Sequence, residues 1–323
     1  MLLRVARVVC AATGIIFVAV ILGWWLTTQP FPIDTWNYVQ AGLRLSRGEP
    51  LYAHVNLGPG YAPVAIFSPP LIGVMFRPIV TMLGVEGAIN TWVVLMAICE
   101  LVAIGWLVLR TPVVAGLAVT VLSLTIALTI IVGNIDAFVL LMLLIVWRFR
   151  DRQLAAGGLL GVLTSLKLTP AALVWWALVT GRSRTAVAAL AVCAALAVVT
   201  VMGSEPDIFG QFVSVSATNY SGAQGPASLA ALGRFLALDP TLAAWLPRLG
   251  LVAGLFSVFI LRHHPRAAWA AAVFTMVAGS PVAAWHSPAL LLAALAPLIS
   301  GTPPLTVGPD AALAIAQSRD AES

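Results

Sequence analysis

The stretch AINTWVVLMAICELVAIGWLVL, residues 88–109, is followed after Arg110, Thr111 and Pro112 by VVAGLAVTVLSLTIALTIIV, residues 113–132. Each is about as long as the ~20 predominantly apolar residues a helix needs to cross a bilayer's hydrocarbon core. Working outward, further apolar runs appear at Val8–Leu26, Ala137–Trp147, Thr185–Met202, Leu249–Leu261, Ala267–Val282 and Ala289–Ile299. Several are shorter than a straight span requires, so their ends are expected to reach into flanking residues. Over the 323 residues, 61% are hydrophobic and 9% charged; a soluble domain carries about 25% charged residues. Mean hydropathy is +1.01. Such a chain cannot cover a water-facing surface, so its solvent is lipid. The expected fold is all-α: a polytopic integral membrane protein of about 9–11 membrane helices or half-helices. Residues 1–302 form one membrane domain, and 303–323, with Pro303, Pro304 and Pro309, read as a loosely ordered cytoplasmic tail.

Two stretches are expected to be broken. Val64–Val85 contains Pro69, Pro70, Arg77 and Pro78, and Leu154–Val179 contains Lys167 and Pro170. Broken or re-entrant helices are tolerated only where protein or water covers the freed backbone. The run Val8–Leu26 follows Arg4 and Arg7 but exceeds a signal-peptide core and precedes no small-x-small cleavage site, so it reads as a retained first helix.

The net charge of +5 comes from basic clusters between apolar runs, which mark cytoplasmic loops rather than a nucleic-acid surface. Arg4 and Arg7 place the N-terminus in the cytoplasm, as do the clusters Arg148, Arg150 and Arg152; Arg182 and Arg184; and Arg262, His263, His264 and Arg266 on their side. Residues 28–63, 133–136, 203–247 and 280–287 are then external. Arg110 reads as cytoplasmic, so Val64–Val85 enters and leaves on one side, or as external, in which case helix parity changes elsewhere. Cys10, Cys99 and Cys193 lie inside apolar runs without metal or disulfide spacing.

Polar residues collect on the external side. Asp34 opens residues 36–46, which read as a surface helix with Trp36, Tyr38, Val39, Leu43 and Leu45 toward lipid and Asn37, Gln40, Arg44 and Arg47 toward water. Asp34 is either the cap of that helix or a catalytic carboxylate. Asn134 and Asp136 interrupt two apolar runs, and an acid beside a membrane helix is costly. Lys167 is flanked by Leu166 and Leu168, midway between two arginine clusters. It either snorkels to the interface or neutralises a lipid phosphate. Trp285 and His286 sit in another apolar break, Ser280–Pro288.

Together the motifs resemble glycosyltransferase family 87, polyprenol-phosphate-mannose-dependent enzymes of actinobacteria with the membrane-embedded GT-C fold. The resemblance is carried by Asp34 after the first helix, Gly48-Glu49-Pro50-Leu51-Tyr52, Tyr61-Ala62-Pro63, Pro69-Pro70-Leu71, Gly133-Asn134, Lys167-Leu168-Thr169-Pro170, and Ser280, Pro281, Trp285 and His286. The last motif is out of step by one residue with the family's Ser-Pro-x-Ser-Trp-x-His pattern, and the chain ends sooner than many relatives. The resemblance implies transfer of mannose, or arabinofuranose, from a polyprenyl-phosphate donor to a glycolipid or polysaccharide acceptor. Transfer would occur at the outer face of the plasma membrane, with inversion. It implies Asp34 as base, assisted by His286. Lys167 and Arg44 would hold the donor phosphate, and Tyr52, Tyr61, Asn134, Asp136 and Trp285 would contact substrate. No cofactor or divalent metal is expected. The competing expectations are a transporter or flippase of lipid-linked sugars, which would place its polar groups at mid-membrane with access from both sides, and a non-catalytic assembly partner.

Overall fold

The computed structural model describes residues 32–52, 54–55, 64–65, 68–222 and 225–299, and scattered helical positions between Val5 and Thr28. Tyr61 and the 303–323 tail lie outside the described residues. The described chain is helical apart from one antiparallel pairing of β1 (His54–Val55) with β2 (Val64–Ala65).

Helix α1 (Ile33–Arg47) follows Pro32 and ends at Gly48, whose φ of 67° is left-handed. The N–H groups of Gly48 and Glu49 return to the carbonyls of Leu45 and Arg44, satisfying orphan acceptors of the last turn. Its apolar face packs on protein, not lipid: Tyr38, Val39 and Leu45 are buried, Tyr38 lies 5.5 Å from the Phe76 ring, and Phe76 lies 4.7 Å from Trp92. Asn37, expected in water, is buried as well. An amphipathic pattern reports an apolar partner but does not distinguish lipid from a neighbouring helix.

Helix α2 (Pro70–Arg110) unites the two stretches read separately at 64–85 and 88–109, beginning with the prolines that suit a first helical turn and breaking at Gly84 (φ 69°, ψ 178°). The run 113–132 is likewise not straight: α3 (Pro112–Val121) and α4 (Ser123–Ile131) meet at 63°. Then come α5 (Asp136–Arg148), α6 (Gln153–Leu166), α7 (Ala171–Val179) and α8 (Ser183–Gly203), with the expected break at Lys167–Pro170 separating α6 from α7. Gly161 lets α6 and α8 approach closely, since a Cβ there would stand 2.6 Å from the Ala189 carbonyl oxygen.

The segment 203–247 is largely helical: α9 (Ile208–Gly222), α10 (Leu229–Phe235) and the start of α11 (Pro240–Ile260) occupy it. Asp239 caps α11 by accepting from the N–H groups of Thr241 and Leu242 at 2.9 and 3.2 Å. Helix α12 (Pro265–Ala278) stops earlier than the apolar run suggested, at Gly279 and ahead of Pro281. The chain resumes as a 3-10 helix at Ser287–Leu295 and ends its described part in α13 (Ala296–Ile299).

Among the described residues three helices, or four if the bent α3–α4 pair is one span, are long and apolar enough to cross a membrane by length and composition. The inner core brings together Trp147 of α5, Trp176 of α7 and Trp269 of α12, with ring centroids 5.0–6.0 Å apart. The Trp269 and Trp176 indole N–H groups donate to the carbonyls of Ala293 and Pro265, so these large rings are buried without an unmet donor. Arg150 and Arg182 stack on Trp147 and Trp176 at 4.6 and 5.6 Å, so these two basic loops share one end of the bundle. Asp136 and Arg148 are the opposite termini of α5, separated by ~18 Å of helix rise. The arginine loops and the Asp136 end therefore lie on different sides of the bundle.

Candidate active site

The site begins with the turn after α4. Gly133 has φ of 64°, and a Cβ on it would collide with the Thr35 hydroxyl. Only glycine meets both demands, a left-handed backbone and contact with α1. Its carbonyl accepts from Thr35 Oγ1 at 3.1 Å and Trp92 Nε1 at 3.0 Å, while the Val132 carbonyl accepts from the N–H groups of Asp34 and Thr35, each at 3.2 Å. These bonds occupy orphan donors of the α1 N-terminus and fix Asp34 against the turn. The Tyr38 hydroxyl adds a contact at 3.5 Å by accepting from the Ile135 N–H.

Asp34 is not the cap of α1. Pro32 holds that position, and no side chain caps the helix. The Asp34 carboxylate is turned inward: Oδ2 accepts from Asn134 Nδ2 at 2.8 Å and stands 3.4 Å from His286 Nε2. Asn134 Nδ2 also lies 3.3 Å from His286 Nε2, and Asn134 Oδ1 accepts from the Asp136 N–H at 2.8 Å. The other imidazole nitrogen, Nδ1, faces Asp136 Oδ2 at 3.1 Å, and Asp136 Oδ1 pairs with Lys167 Nζ. Four separate segments thus supply one chain of contacts from Asp34 through Asn134 and His286 to Asp136 and Lys167.

Burial is graded along this chain. The Asp136 side chain is fully buried, those of His286 and Asp34 are 10% and 13% exposed, and that of Lys167 is 22% exposed. Burial raises the Asp34 carboxyl above its ordinary pKa, against the lowering influence of His286, Asn134 and Lys167. Lys167 follows the last residue of α6 in an extended conformation (φ −151°, ψ 126°), which aims it across the α6–α7 break. The loop bearing His286 is held by backbone bonds to an otherwise distant segment: Gly225 N–H to Pro281 and Ala227 N–H to Ala283, at 3.1 and 2.9 Å.

Arg44, Tyr52 and Trp285 stand outside this chain of contacts. Arg44 donates to the Pro50 carbonyl at 3.1 Å and is ten residues along α1 from Asp34, ~15 Å of rise. The Tyr52 hydroxyl donates to the Ser68 carbonyl at 2.8 Å, and its ring lies 5.8 Å from Phe212. Trp285 is 60% exposed, beside His286. Sequence reasoning passed over Thr35, Tyr38 and Trp92, whose signal as a frame exists only once α1 meets the Gly133 turn. It also passed over Glu100, the single acid inside the 88–109 run. Glu100 is fully buried, and neither carboxyl oxygen has a hydrogen-bond partner among the described residues.

A cluster of carboxylates, an imidazole and an ammonium at one end of an apolar bundle suits proton transfer beside an anionic leaving group. The model of glycosyltransferase family 87 matches residues 67–300. The chain belongs to glycosyltransferase family 87. Asn134, Asp136, Lys167 and His286 lie within the matched segment, and Asp34 precedes it. No curated protein and no solved structure matches the chain. As a family 87 glycosyltransferase it takes a sugar from a donor to an acceptor, which is transfer rather than transport.

Proposed function

We propose that this glycosyltransferase moves mannose from a polyprenyl-phosphate donor to a hydroxyl of a glycolipid or polysaccharide acceptor, at the outer face of the plasma membrane and with inversion. The observation that carries the proposal is the Asp34–His286 contact, bridged by Asn134, in a membrane chain of this family. A lipid-linked donor fits a chain that is almost entirely apolar helix, because its polyprenyl tail dissolves in the same bilayer. The outer face is supported by the arginine loops: such loops mark a cytoplasmic side, and the Asp34–Lys167 cluster lies at the other end of the bundle.

In the proposed step the acceptor hydroxyl gives its proton to Asp34 as its oxygen attacks the anomeric carbon. The bond from that carbon to the phosphate oxygen breaks, and polyprenyl phosphate leaves with the bonding pair. His286, in hydrogen-bond reach of Asp34, stabilises the transferred proton. Lys167 keeps two N–H donors beyond the one it gives Asp136, and these stabilise charge on the departing phosphate, whereas Arg44, ~15 Å of helix rise from Asp34, takes no part in this step. Lys167 supplies the positive charge, so a divalent metal is not part of the proposal. Trp285 offers an exposed ring to a sugar face, and Tyr52 and Tyr61 are proposed as further substrate contacts, while the fully buried Asp136 and its hydrogen-bonded neighbour Asn134 act through His286.

The test is transfer of radiolabelled sugar by membranes containing the chain, supplied in parallel with polyprenyl-phosphate mannose, polyprenyl-phosphate arabinofuranose and a nucleotide-activated mannose. Label incorporation from the first alone supports the proposal. Incorporation from the second reassigns the sugar, and direct use of the nucleotide donor overturns the lipid-linked mechanism.

A further inference from the structure

We propose that Asp136 and Asn134 act as positioning residues that fix the neutral tautomer of His286, with the proton on Nδ1 and the lone pair of Nε2 turned toward Asp34. The inference rests on the proton-transfer reading above but is tested separately from it.

The argument starts from the amide of Asn134. Its Oδ1 accepts from the Asp136 N–H at 2.8 Å, which leaves Nδ2 as the end that faces Asp34 Oδ2 at 2.8 Å and His286 Nε2 at 3.3 Å. An amide nitrogen donates and does not accept, so a neutral imidazole beside it presents an unprotonated Nε2. The opposite ring nitrogen meets the same conclusion from the other side. Nδ1 stands 3.1 Å from Asp136 Oδ2, an acceptor-only atom while the carboxylate is ionised. The ion pair of the other oxygen with Lys167 Nζ favours that ionised state. A lone pair on Nδ1 would oppose the carboxylate, whereas an Nδ1–H donates to it. The Nε2 face also meets Asp34 Oδ2, at 3.4 Å, but the Asn134 donor is nearer at 3.3 Å and Asp136 is the closer of the two carboxylates at 3.1 Å, so the balance of contacts favours the Nδ1–H tautomer, the second-group orientation that a catalytic imidazole needs.

The same frame serves the protonated ring. When a proton reaches Nε2, it points at Asp34 Oδ2, 3.4 Å away, while Nδ1–H keeps its bond to Asp136. The imidazolium then lies between two carboxylates, with Lys167 behind the second. Among the described residues the charged groups around the ring are Asp34 from α1, Asp136 from α5 and Lys167 from the α6–α7 break. The frame thus accommodates the proton's arrival without turning the ring. Lys167 acts at two points, holding Asp136 and, in the proposed function, facing the donor phosphate.

Nitrogen-15 spectra of the full chain in lipid nanodiscs, labelled at its 4 histidines, read the tautomer without any substrate. The His286→Gln spectrum identifies the His286 signals. The expected resting state is neutral, with a protonated Nδ1 and an unprotonated Nε2. A neutral Nε2–H ring, or a ring doubly protonated at the working pH, overturns the assignment whether or not Asp136→Asn folds. The second arm is Asp136→Asn, which retains the size of the side chain. It is expected to shift the ring toward Nε2–H and to lower the transfer rate by up to ~10⁴-fold, the scale of a lost tautomer-orienting carboxylate, with the donor KM within a few-fold. An unchanged tautomer and pH–rate profile in a folded Asp136→Asn protein also overturns it. If the chain fails to use any polyprenyl-phosphate sugar, the reaction assignment falls while the tautomer result stands on its own.

Discussion

Substituting Asp34 by Asn separates catalysis from structure at the residue on which the proposed mechanism turns. In the folded chain Asp34 Oδ2 accepts one hydrogen bond from Asn134 Nδ2 at 2.8 Å, and the carboxylate does not cap α1. An Asn amide oxygen can accept the same bond. What is lost is the charge assistance, ~1 kcal/mol, and this is offset by no longer burying an ionisable carboxylate. A net change within ~1 kcal/mol moves the melting temperature of a chain this size by only ~2–4 °C. The proton acceptor, in contrast, is gone, and general-base loss lowers the rate ~10²–10⁴-fold. Asp34→Ala tests the structural side. It removes an acceptor from the Asn134 N–H, for which ~1–3 kcal/mol is the usual range. The lower end is expected, because His286 Nε2 at 3.3 Å remains as a second acceptor. Both variants are compared in nanodiscs for labelled-mannose transfer from the polyprenyl-phosphate donor and for thermal unfolding. Transfer by folded Asp34→Asn at close to the wild-type rate would refute the base assignment, whatever the alanine variant does.

Three further outcomes are expected. Burial raises the Asp34 pKa, and the base works only when deprotonated, so transfer should be lost as pH falls through a value above the ordinary aspartate range; an acid limb of kcat/KM below about pH 4 contradicts this. Gly133→Ala forces a side chain into a left-handed backbone and against the Thr35 hydroxyl, so it should lower stability by at least ~1–2 kcal/mol and reduce transfer with it, and a thermally unaltered variant shows that the turn is not constrained as described. Lys167→Ala should raise the donor KM and also weaken the fold, because it strands the fully buried Asp136 carboxylate, with ~3 kcal/mol as an upper guide since the lysine is partly exposed. Adding Asp136→Asn should recover stability but not donor KM; recovery of both means Lys167 serves Asp136 alone.

The family 87 membership narrows the chemistry to glycosyl transfer, and the geometry explains why so few polar residues suffice. The site's polar atoms are concentrated where α1, the Gly133 turn, the α6–α7 break and the His286 loop meet. Helix breaks supply three of these four contributions. A continuous helix satisfies its backbone internally and presents apolar side chains to lipid, so function in such a chain is placed at its interruptions.

What the sequence by itself determined is local. Apolar runs and arginine clusters located the membrane helices, and Pro, Gly and charge inside those runs marked the break at Lys167–Pro170 and the turn at Gly133. Hydropathy reads one segment against its solvent, so it recovered α5 and α8 nearly to the residue. It could not tell that the apolar face of α1 meets Phe76 and its neighbours instead of lipid, because both partners are equally apolar. Nor could it distinguish Asp34 as a cap from Asp34 as a carboxylate turned toward His286. That choice depends on contacts between residues 100, 150 and 152 positions apart in the chain. Only packing closes such distances: the Val132 and Gly133 carbonyls draw in the N-terminus of α1, and the backbone bonds from Gly225 and Ala227 hold the His286 loop. The residues of the site were visible in the sequence as polar exceptions. Their hydrogen-bond partners were decided by tertiary structure, because a buried polar group must be satisfied by whatever the fold places beside it.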